Sequence, residues 1–386
     1  MITKHLKPFQ PISKEESEIF DFFRGLSAIV VLVSHAYQIL IAPQVSSPTI
    51  NNIVFHIAGC AVMVFFFLSG YMISGSLYRN ASKNEFRNIN LKKFFFDRLI
   101  RLYPPLLFSF LIMITVYAIA KLFNISYLTG HENYILRESF VLDSGVFGSL
   151  LFIQNIFNNY IGTPSLNASL WSLSHEFWFY VIGALFFKIV FSSSRIKYLI
   201  PLIAVLSVIF LFGRWIPFYF GLFLWVIGGC TFIIRQNVAI KLSKTFICSS
   251  ILFLLASIYL FQSSNNTLYF LSKYVFGIAF TCFILYVLSK TNTTSNVSKN
   301  KDRKIFNLIS DSARFSYTSY VIHWPIFMLI YGVLGDLFVY SKLLNISIFL
   351  VSIVFILVIS SKTAYTLENK HKIIGLFERY GFAYEK

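Results

Sequence analysis

The chain has 386 residues, of which 56% are hydrophobic and 13% are charged, and its mean hydropathy is +0.69. A water-soluble protein could not bury so much apolar surface, so the composition excludes soluble domains and indicates a membrane protein. The net charge of +17 would suggest nucleic-acid binding in a soluble protein, but in a membrane protein it first raises the question of which side carries the basic residues.

Windows of about 20 apolar residues predict ten transmembrane helices. In chain order they cover residues 20–41, 53–77, 103–123, 168–188, 198–212, 216–234, 246–261, 268–289, 315–334 and 343–361. The polar segment before the first span lacks a signal-peptide cleavage site, so that span is expected to stay in the membrane. The run FGSLLFIQNIF (147–157) is apolar but too short to cross, and we predict an interfacial or re-entrant piece there.

The basic residues fall mostly on one side of this arrangement. If the N-terminus is cytoplasmic, 28 of the 33 lysines and arginines lie in cytoplasmic segments, as the positive-inside rule requires. The sequence therefore predicts an all-α polytopic membrane protein with both termini in the cytoplasm. It divides into a cytoplasmic N-terminal segment (1–19), a ten-helix membrane domain (20–361) and a cytoplasmic tail (362–386). Topology and attraction to anionic lipids account for the positive charge, and no nucleic-acid partner is expected.

Cysteine usage gives no sign of a metal centre or a disulfide framework. The four cysteines lie in apolar runs without paired spacing: Cys60, Cys230, Cys248 and Cys282. They are expected to be small buried side chains, and neither a metal nor a tightly bound cofactor is predicted.

Two ionisable residues interrupt the first span at RGLSAIVVLVSH (24–35). The eleven-residue separation of Arg24 and His35 is three helical turns plus about 20°, so both lie on one helix face about 16 Å apart. Arg24 is then at the cytoplasmic rim and His35 is near the middle of the membrane. Burying an ionisable side chain there is costly, so His35 is expected either to face a functional cavity or to bond a neighbouring helix as a structural residue.

Two arginines precede the third span in RLIRLYPP (98–105). Arg98 and Arg101 share a helix face, and Pro104 is predicted to begin the span. Paired arginines at the inner surface can bind phosphate through charge-assisted hydrogen bonds. The spacing alone favours the simpler alternative, a basic anchor of the positive-inside type.

A carboxylate lies in the fourth span, in SLWSLSHEFWFY (169–180). Glu176 is predicted about 12 Å below the outer surface and His35 about 13 Å below it, so the two side chains can pair. The alternative is a structural tether from Glu176 to a histidine or a tyrosine.

Two polar positions near the end of the chain complete the set. SYTSYVIHWPIF (316–327) places His323 inside the ninth span, where a proline-kinked helix is the simpler interpretation. AYTLENKHK (364–372) places Glu368 at the inner end of the tenth span.

Together these stretches resemble the membrane-bound acyltransferase family 3, and the resemblance extends over residues 20–370. DFFRGLSAIVVLVSH resembles the first-span motif of the family, an arginine, ten residues and a histidine, and VFFFLSGYMISGSL resembles its second span. RLIRLYPP resembles its R-x-x-R segment, SLWSLSHEFWFY its LWSLSxE(E)xFY stretch, SYTSYVIHWPIF its SYxxYLxHWP stretch, and YTLE its closing Y-x-x-E. The family often has a second carboxylate after the position of Glu176, where this chain has Phe177.

The resemblance implies a multi-pass enzyme of the bacterial inner membrane that O-acylates a carbohydrate. The co-substrate is acyl-CoA, most often acetyl-CoA, arriving from the cytoplasm. The acceptor is a hydroxyl of a lipid-linked or polymeric carbohydrate at the outer face, such as O-antigen or exopolysaccharide. The principal alternative is a transporter or flippase for a lipid-linked sugar, which would also keep polar residues in the middle of the membrane.

This interpretation assigns roles to the polar residues above. His35 is expected to act as a general base or a transient acyl acceptor, and Glu176 to orient it or to hold the acceptor. Arg24, Arg98 and Arg101 are expected to bind the phosphates of CoA. The expected substrate-binding or supporting residues are Trp171, Ser172, Tyr180, His323 and Glu368.

Overall fold

A computed structural model describes residues 6–44, 47–125, 141–157, 160–192, 194–213, 215–238, 244–291, 304–335, 337 and 341–379. The ends of the two predicted terminal segments, 1–5 and 380–386, lie outside these residues. The helices are α1 (Lys14–Ala36), α2 (Pro48–Lys83), α3 (Leu91–Leu122), α4 (Ser144–Leu150), α5 (Trp171–Phe191), α6 (Arg195–Phe212), α7 (Trp215–Asn237), α8 (Lys244–Phe261), α9 (Asn266–Thr291), α10 (Lys304–Ser312), α11 (Ser316–Leu334), α12 (Lys342–Leu367) and α13 (Lys370–Arg379). A π-helical turn, Tyr37–Ile41, and a 3₁₀ turn, Ala42–Gln44, extend α1.

Ten helical segments in the described part of the chain are long and apolar enough to cross a membrane. They are α1, α2, α3, α5, α6, α7, α8, α9, α10 together with α11, and α12. This confirms the predicted all-α polytopic fold, with no strand among the described residues. If all ten cross, Lys14 and Leu367 lie on one side of the membrane. We call that side, which also holds Lys83 and Leu91, the basic face.

The third crossing helix begins earlier than the sequence predicts. α3 starts at Leu91, where the Asn90 side chain accepts a hydrogen bond from Lys93 N, and Pro104 lies inside the helix rather than at its start. A hydropathy window misses the first three turns of α3 because charged and apolar residues are mixed there, before the apolar span begins. Arg98 and Arg101 are therefore held on a rigid helix, one turn apart.

Glycines let α2 and α7 approach closely. A Cβ on Gly70 would lie 1.9 Å from the Trp225 carbonyl oxygen, and one on Gly228 would lie 2.1 Å from the Phe67 carbonyl oxygen. Neither backbone oxygen can yield to a side chain, so glycine is required at both positions. Small residues at such contacts drive helix association in membranes, where hydrophobic burial does not.

The segment around α4 confirms the predicted piece that does not cross. α4 itself has seven residues, and the Phe152 side chain that follows it is buried. The Asp143 carboxylate accepts from Ser165 Oγ at 2.5 Å and so joins the two ends of the segment. The Trp178 indole donates to the Phe152 carbonyl at 2.9 Å. The chain thus enters the bundle and turns, and α5 begins within it.

A buried ion pair ties the start of α1 to the basic end of α7. Arg235 donates through Nε and Nη2 to the two carboxylate oxygens of Glu16, at 3.1 and 2.6 Å. It also donates to the carbonyl oxygens of Gln10 and Pro11. The side chains of Arg235 and Glu16 are 11% and 2% exposed, so solvent screens the pair little.

Replacing Arg235 with alanine is expected to destabilise the protein by about 3–5 kcal/mol, because Glu16 is left as a buried charge without its partner. Thermal unfolding of the purified protein in detergent measures the effect. The control is Lys14→Ala, which removes the exposed 3.9 Å pair with Glu18 and should cost less than about 1 kcal/mol. Equal stability of the two variants would contradict the role given to the Arg235 pair.

Candidate active site

A pocket between α1, α2, α3, α5 and α11 brings together six residues that the sequence predicts as site residues. They are Arg24, Arg98, Arg101, Ser172, Glu176 and Tyr180. Apolar side chains of α2, including Phe65, Phe66 and Met72, form one wall. The pocket has ≈ 890 Å³ of empty space, including the open space at its mouth.

The three arginines give the pocket an excess of positive charge. Arg24 Nη1 is 3.3 Å from Asp21 Oδ1, and Arg98 Nη2 donates to Ser76 Oγ at 2.9 Å. The buried Arg98 Nε has no hydrogen-bond partner among the described residues, and Arg101 forms no ion pair with any of them. Unused guanidinium donors around a cavity are suited to bind an anion.

The carboxylate of the pocket is held in place by two hydroxyl groups. Ser172, Glu176 and Tyr180 are four residues apart and so lie on one face of α5. Glu176 Oε1 accepts from Ser69 Oγ at 3.1 Å and from the Tyr180 hydroxyl. The Trp225 indole donates to Ser69 Oγ at 3.3 Å and orients it. The Glu–Tyr tether left open by the sequence is thus present.

The predicted pairing of Glu176 with His35 is wrong, because α5 begins inside the bundle and not at the outer surface. Ser172 Oγ is 2.7 Å from the Tyr320 hydroxyl, which sets the level of α5 relative to α11. Glu176 lies one turn from Ser172 towards the basic face, and His323 lies three residues from Tyr320 in the opposite direction. Glu176 and His323 are therefore about 10 Å apart along the helix axes.

His35 pairs instead with His323 of α11. His35 Nδ1 and His323 Nε2 are 2.7 Å apart, with the ring centroids 5.0 Å apart and the ring planes 11° from parallel. His323 Nδ1 is 2.9 Å from the Ser319 carbonyl oxygen, and the Trp324 ring meets the His35 ring edge-on at 4.9 Å. His323 is buried and His35 is half-buried. Neither histidine lines the pocket.

Tyr320 connects the pocket to this histidine pair, although it is not among the site residues that the sequence predicts. Its side chain lines the pocket, and its ring centroid is 6.0 Å from that of His323. Its hydroxyl bonds Ser172 Oγ and donates to the Ser169 carbonyl. The spacing in SYVIH (319–323) could have indicated this role, because Tyr320 and His323 are three residues apart and so share a helix face.

A proline fixes the position of α11 beside the site. Pro325 has no N–H, so the Val321 carbonyl loses its helical partner. Ser109 Oγ and Asn167 Nδ2 donate to that carbonyl instead, at 2.6 and 2.7 Å. Such replacement of lost backbone bonds is what makes proline tolerable in a membrane helix. These two hydrogen bonds lock α11 to α3 and to the segment before α5.

Two further predicted residues lie outside the pocket. Glu368 Oε1 accepts from N and Oγ1 of Thr318 at 2.9 and 2.6 Å. The N-cap residue of α11, Phe315, offers no side-chain acceptor, so Glu368 supplies the missing cap from the end of α12. The Trp171 ring packs edge-on against Phe66 at 6.4 Å. Both residues support the helices that form the pocket.

Comparison with known sequences gives the same family as the sequence motifs. The profile of the acyltransferase family 3, described as an acyltransferase domain, matches residues 18–363. An O-acetyl transferase of Shigella phage Sf6 is 26% identical over 339 residues, which are 86% of this chain and 90% of that protein. No solved structure matches the chain. The matched region contains the whole pocket and the histidine pair, and the chain therefore belongs to the acyltransferase family 3 as a multi-pass membrane acyltransferase.

Proposed function

We propose that this acyltransferase moves an acyl group, most simply acetyl, from cytoplasmic acyl-CoA to a hydroxyl of a cell-surface or secreted carbohydrate such as O-antigen or exopolysaccharide. It would act in the bacterial inner membrane, with the basic face in the cytoplasm. The observation that carries the proposal is the three-arginine pocket, which reaches Tyr320 and, through Tyr320, contacts the pair of His35 and His323. The likeness to a phage O-acetyl transferase supports the acyl group and the acceptor oxygen.

The charge of the pocket suits the donor. CoA carries several phosphate charges, and Arg24, Arg98 and Arg101 offer guanidinium groups that can bind phosphate by paired hydrogen bonds. The uncharged pantetheine arm suits the wall of α2 side chains. If the phosphates are bound at Arg24, the pantetheine arm must span about 16 Å along α1 for the thioester to reach His35. Tyr320 lies between the pocket and the histidine pair.

His35 and Glu176 have different roles in the proposed reaction. His35 accepts the proton of the attacking hydroxyl, or takes the acyl group itself before the hydroxyl does. In both routes the carbonyl carbon exchanges its bond to sulfur for a bond to the acceptor oxygen, and CoA leaves as a thiol. Glu176 Oε2 has no hydrogen bond to any described residue, so it can accept one from a pantetheine amide or an acceptor hydroxyl.

Mass analysis of surface carbohydrate from cells with and without this chain tests the proposal. We expect one acyl mass per repeat unit to disappear when the chain is deleted and to return with the wild-type chain. An unchanged acyl content, with less carbohydrate reaching the surface, would refute the enzyme assignment and favour the transporter.

A further inference from the structure

The two hydrogen bonds of His323 determine where its proton lies. Ser319 presents a carbonyl oxygen to His323 Nδ1 at 2.9 Å, and a carbonyl can only accept. Nδ1 of His323 therefore carries a hydrogen. A neutral imidazole carries one ring hydrogen, so His323 Nε2 is an acceptor.

The proton on His35 follows from that of His323. His35 Nδ1 lies 2.7 Å from His323 Nε2, and two acceptors would repel each other at this distance, so His35 Nδ1 must donate. Its single hydrogen is then used, and His35 Nε2 is left with a free lone pair. No described residue forms a hydrogen bond with His35 Nε2, and the residue as a whole is partly exposed.

The opposite assignment would need a cationic His323 that donates from both nitrogens. His323 is 1% exposed, and neither histidine takes part in any ion pair formed by the described residues. A buried cation without a counter-charge is strongly disfavoured in a membrane interior. The neutral chain from His35 through His323 to Ser319 is therefore the resting arrangement.

We propose that His323 is a positioning residue that holds His35 in the tautomer whose Nε2 is free to react. The proposal rests on the proposed function of His35 and adds a role for its partner. Trp324, edge-on to the His35 ring at 4.9 Å, limits rotation of that ring. The hydrogen bonds to the Val321 carbonyl keep the turn of α11 that carries His323 in place.

The proton inventory of the reaction balances with this tautomer. The acceptor O–H gives its proton to His35 Nε2 as its oxygen bonds to the thioester carbonyl carbon. The imidazolium then present on His35 is stabilised by its Nδ1–H bond to His323 Nε2, as a fixed acceptor stabilises a catalytic histidine elsewhere. When the carbon–sulfur bond breaks, His35 Nε2 returns the proton to the departing CoA sulfur.

Two substitutions of similar shape test whether His323 acts as a hydrogen-bond acceptor for His35 or only fills space. Gln at position 323 can place its carbonyl oxygen near the present position of Nε2, whereas Met fills the same space without a comparable acceptor. We expect His323→Met to lower kcat by about 100-fold or more with little change in KM for acetyl-CoA, and His323→Gln to stay within about 10-fold of wild type. Equal activity of the two variants, whether high or low, would overturn the positioning role.

A measurement on the wild-type protein covers the case in which a variant fails to fold. Magnetic resonance of ¹⁵N-histidine-labelled protein in bilayers reports which ring nitrogen of His35 carries the hydrogen, with the His35→Ala spectrum for assignment. We expect the hydrogen on Nδ1, and a hydrogen on Nε2 would overturn the proposal. A fully active His35→Ala variant would instead remove the catalytic role proposed for His35, so the two failures are distinguishable.

Discussion

Alanine in place of His35 is expected to reduce acyl transfer by at least about 10²-fold while the protein still accumulates in the membrane. General base catalysis alone contributes about 10²–10⁴-fold, and a lost acyl acceptor would remove the reaction route altogether. Binding of acetyl-CoA should change little, because Arg24, which shares the pocket with Arg98 and Arg101, lies about 16 Å away along α1. The rate is measured as labelled acetyl transferred to carbohydrate in membrane preparations, beside a direct measurement of CoA binding.

A matched control for this variant is His56→Ala in α2. His56 is also a half-buried histidine within a membrane-crossing helix, where its ring nitrogens lie 3.4 Å from Cys60 Sγ and 3.3 Å from Ser272 Oγ. It does not line the pocket. Near wild-type transfer in His56→Ala and loss in His35→Ala would assign the effect to the chemistry of position 35. Wild-type transfer in His35→Ala would refute its catalytic role.

An acyl-enzyme can be separated from direct transfer with the same preparations. If His35 is the acyl acceptor, labelled acetyl should remain on the protein when the carbohydrate is omitted, and it should be absent from His35→Ala. If His35 is a general base, no label should remain on either protein.

The sequence predicts the spans and the shared helix faces well because both depend on local properties. Hydropathy over about 20 residues locates a membrane helix, and a period of 3.6 residues places Arg24 and His35 on one side of α1. The pocket also gathers arginines from α1 and α3 with Glu176 from α5. By residue type and position the sequence placed the three arginines in one phosphate site, but it placed Glu176 beside His35.

The relative height of two helices is not a local property, and there the sequence fails. Glu176 was predicted level with His35 on the assumption that the fourth span begins at the membrane surface. The segment around Asn167 enters the bundle instead and bonds the Val321 carbonyl, so α5 begins deeper. The partner of His35 is set by this tertiary contact, and no pattern within a single helix reveals it.

The departure at Phe177 also has a structural explanation. Its ring stacks on Phe152 at 4.4 Å and 15°, where the segment that enters the bundle meets α5. A carboxylate at this position would lose that apolar contact. In this chain one carboxylate, Glu176, serves the pocket, and the neighbouring position stabilises the packing of the segment against α5.

Replacing Arg98 and Arg101 together with alanine is expected to raise KM for acetyl-CoA by about 100-fold. Each substitution removes a charge-assisted hydrogen bond to a phosphate that is worth about 1.5 kcal/mol. A loss of about 1.4 kcal/mol corresponds to a factor of ten in affinity. Both residues line the pocket, and Arg101 forms no ion pair with a described residue. The control is Arg87→Ala, whose side chain is 84% exposed and which should leave KM unchanged.

A donor without phosphates tests whether Arg98 and Arg101 act by binding phosphate. Acetyl-pantetheine carries the same thioester and arm but lacks the nucleotide, so its kcat/KM should be nearly equal in wild type and in the double variant. The wild-type preference for acetyl-CoA over acetyl-pantetheine should also shrink as salt is raised, because screening weakens partly exposed charge pairs. An equal loss with both donors would mean that Arg98 and Arg101 maintain the shape of the pocket and do not bind phosphate. Lysine in place of each arginine should recover part of the affinity, because the charge returns without the planar pair of donors.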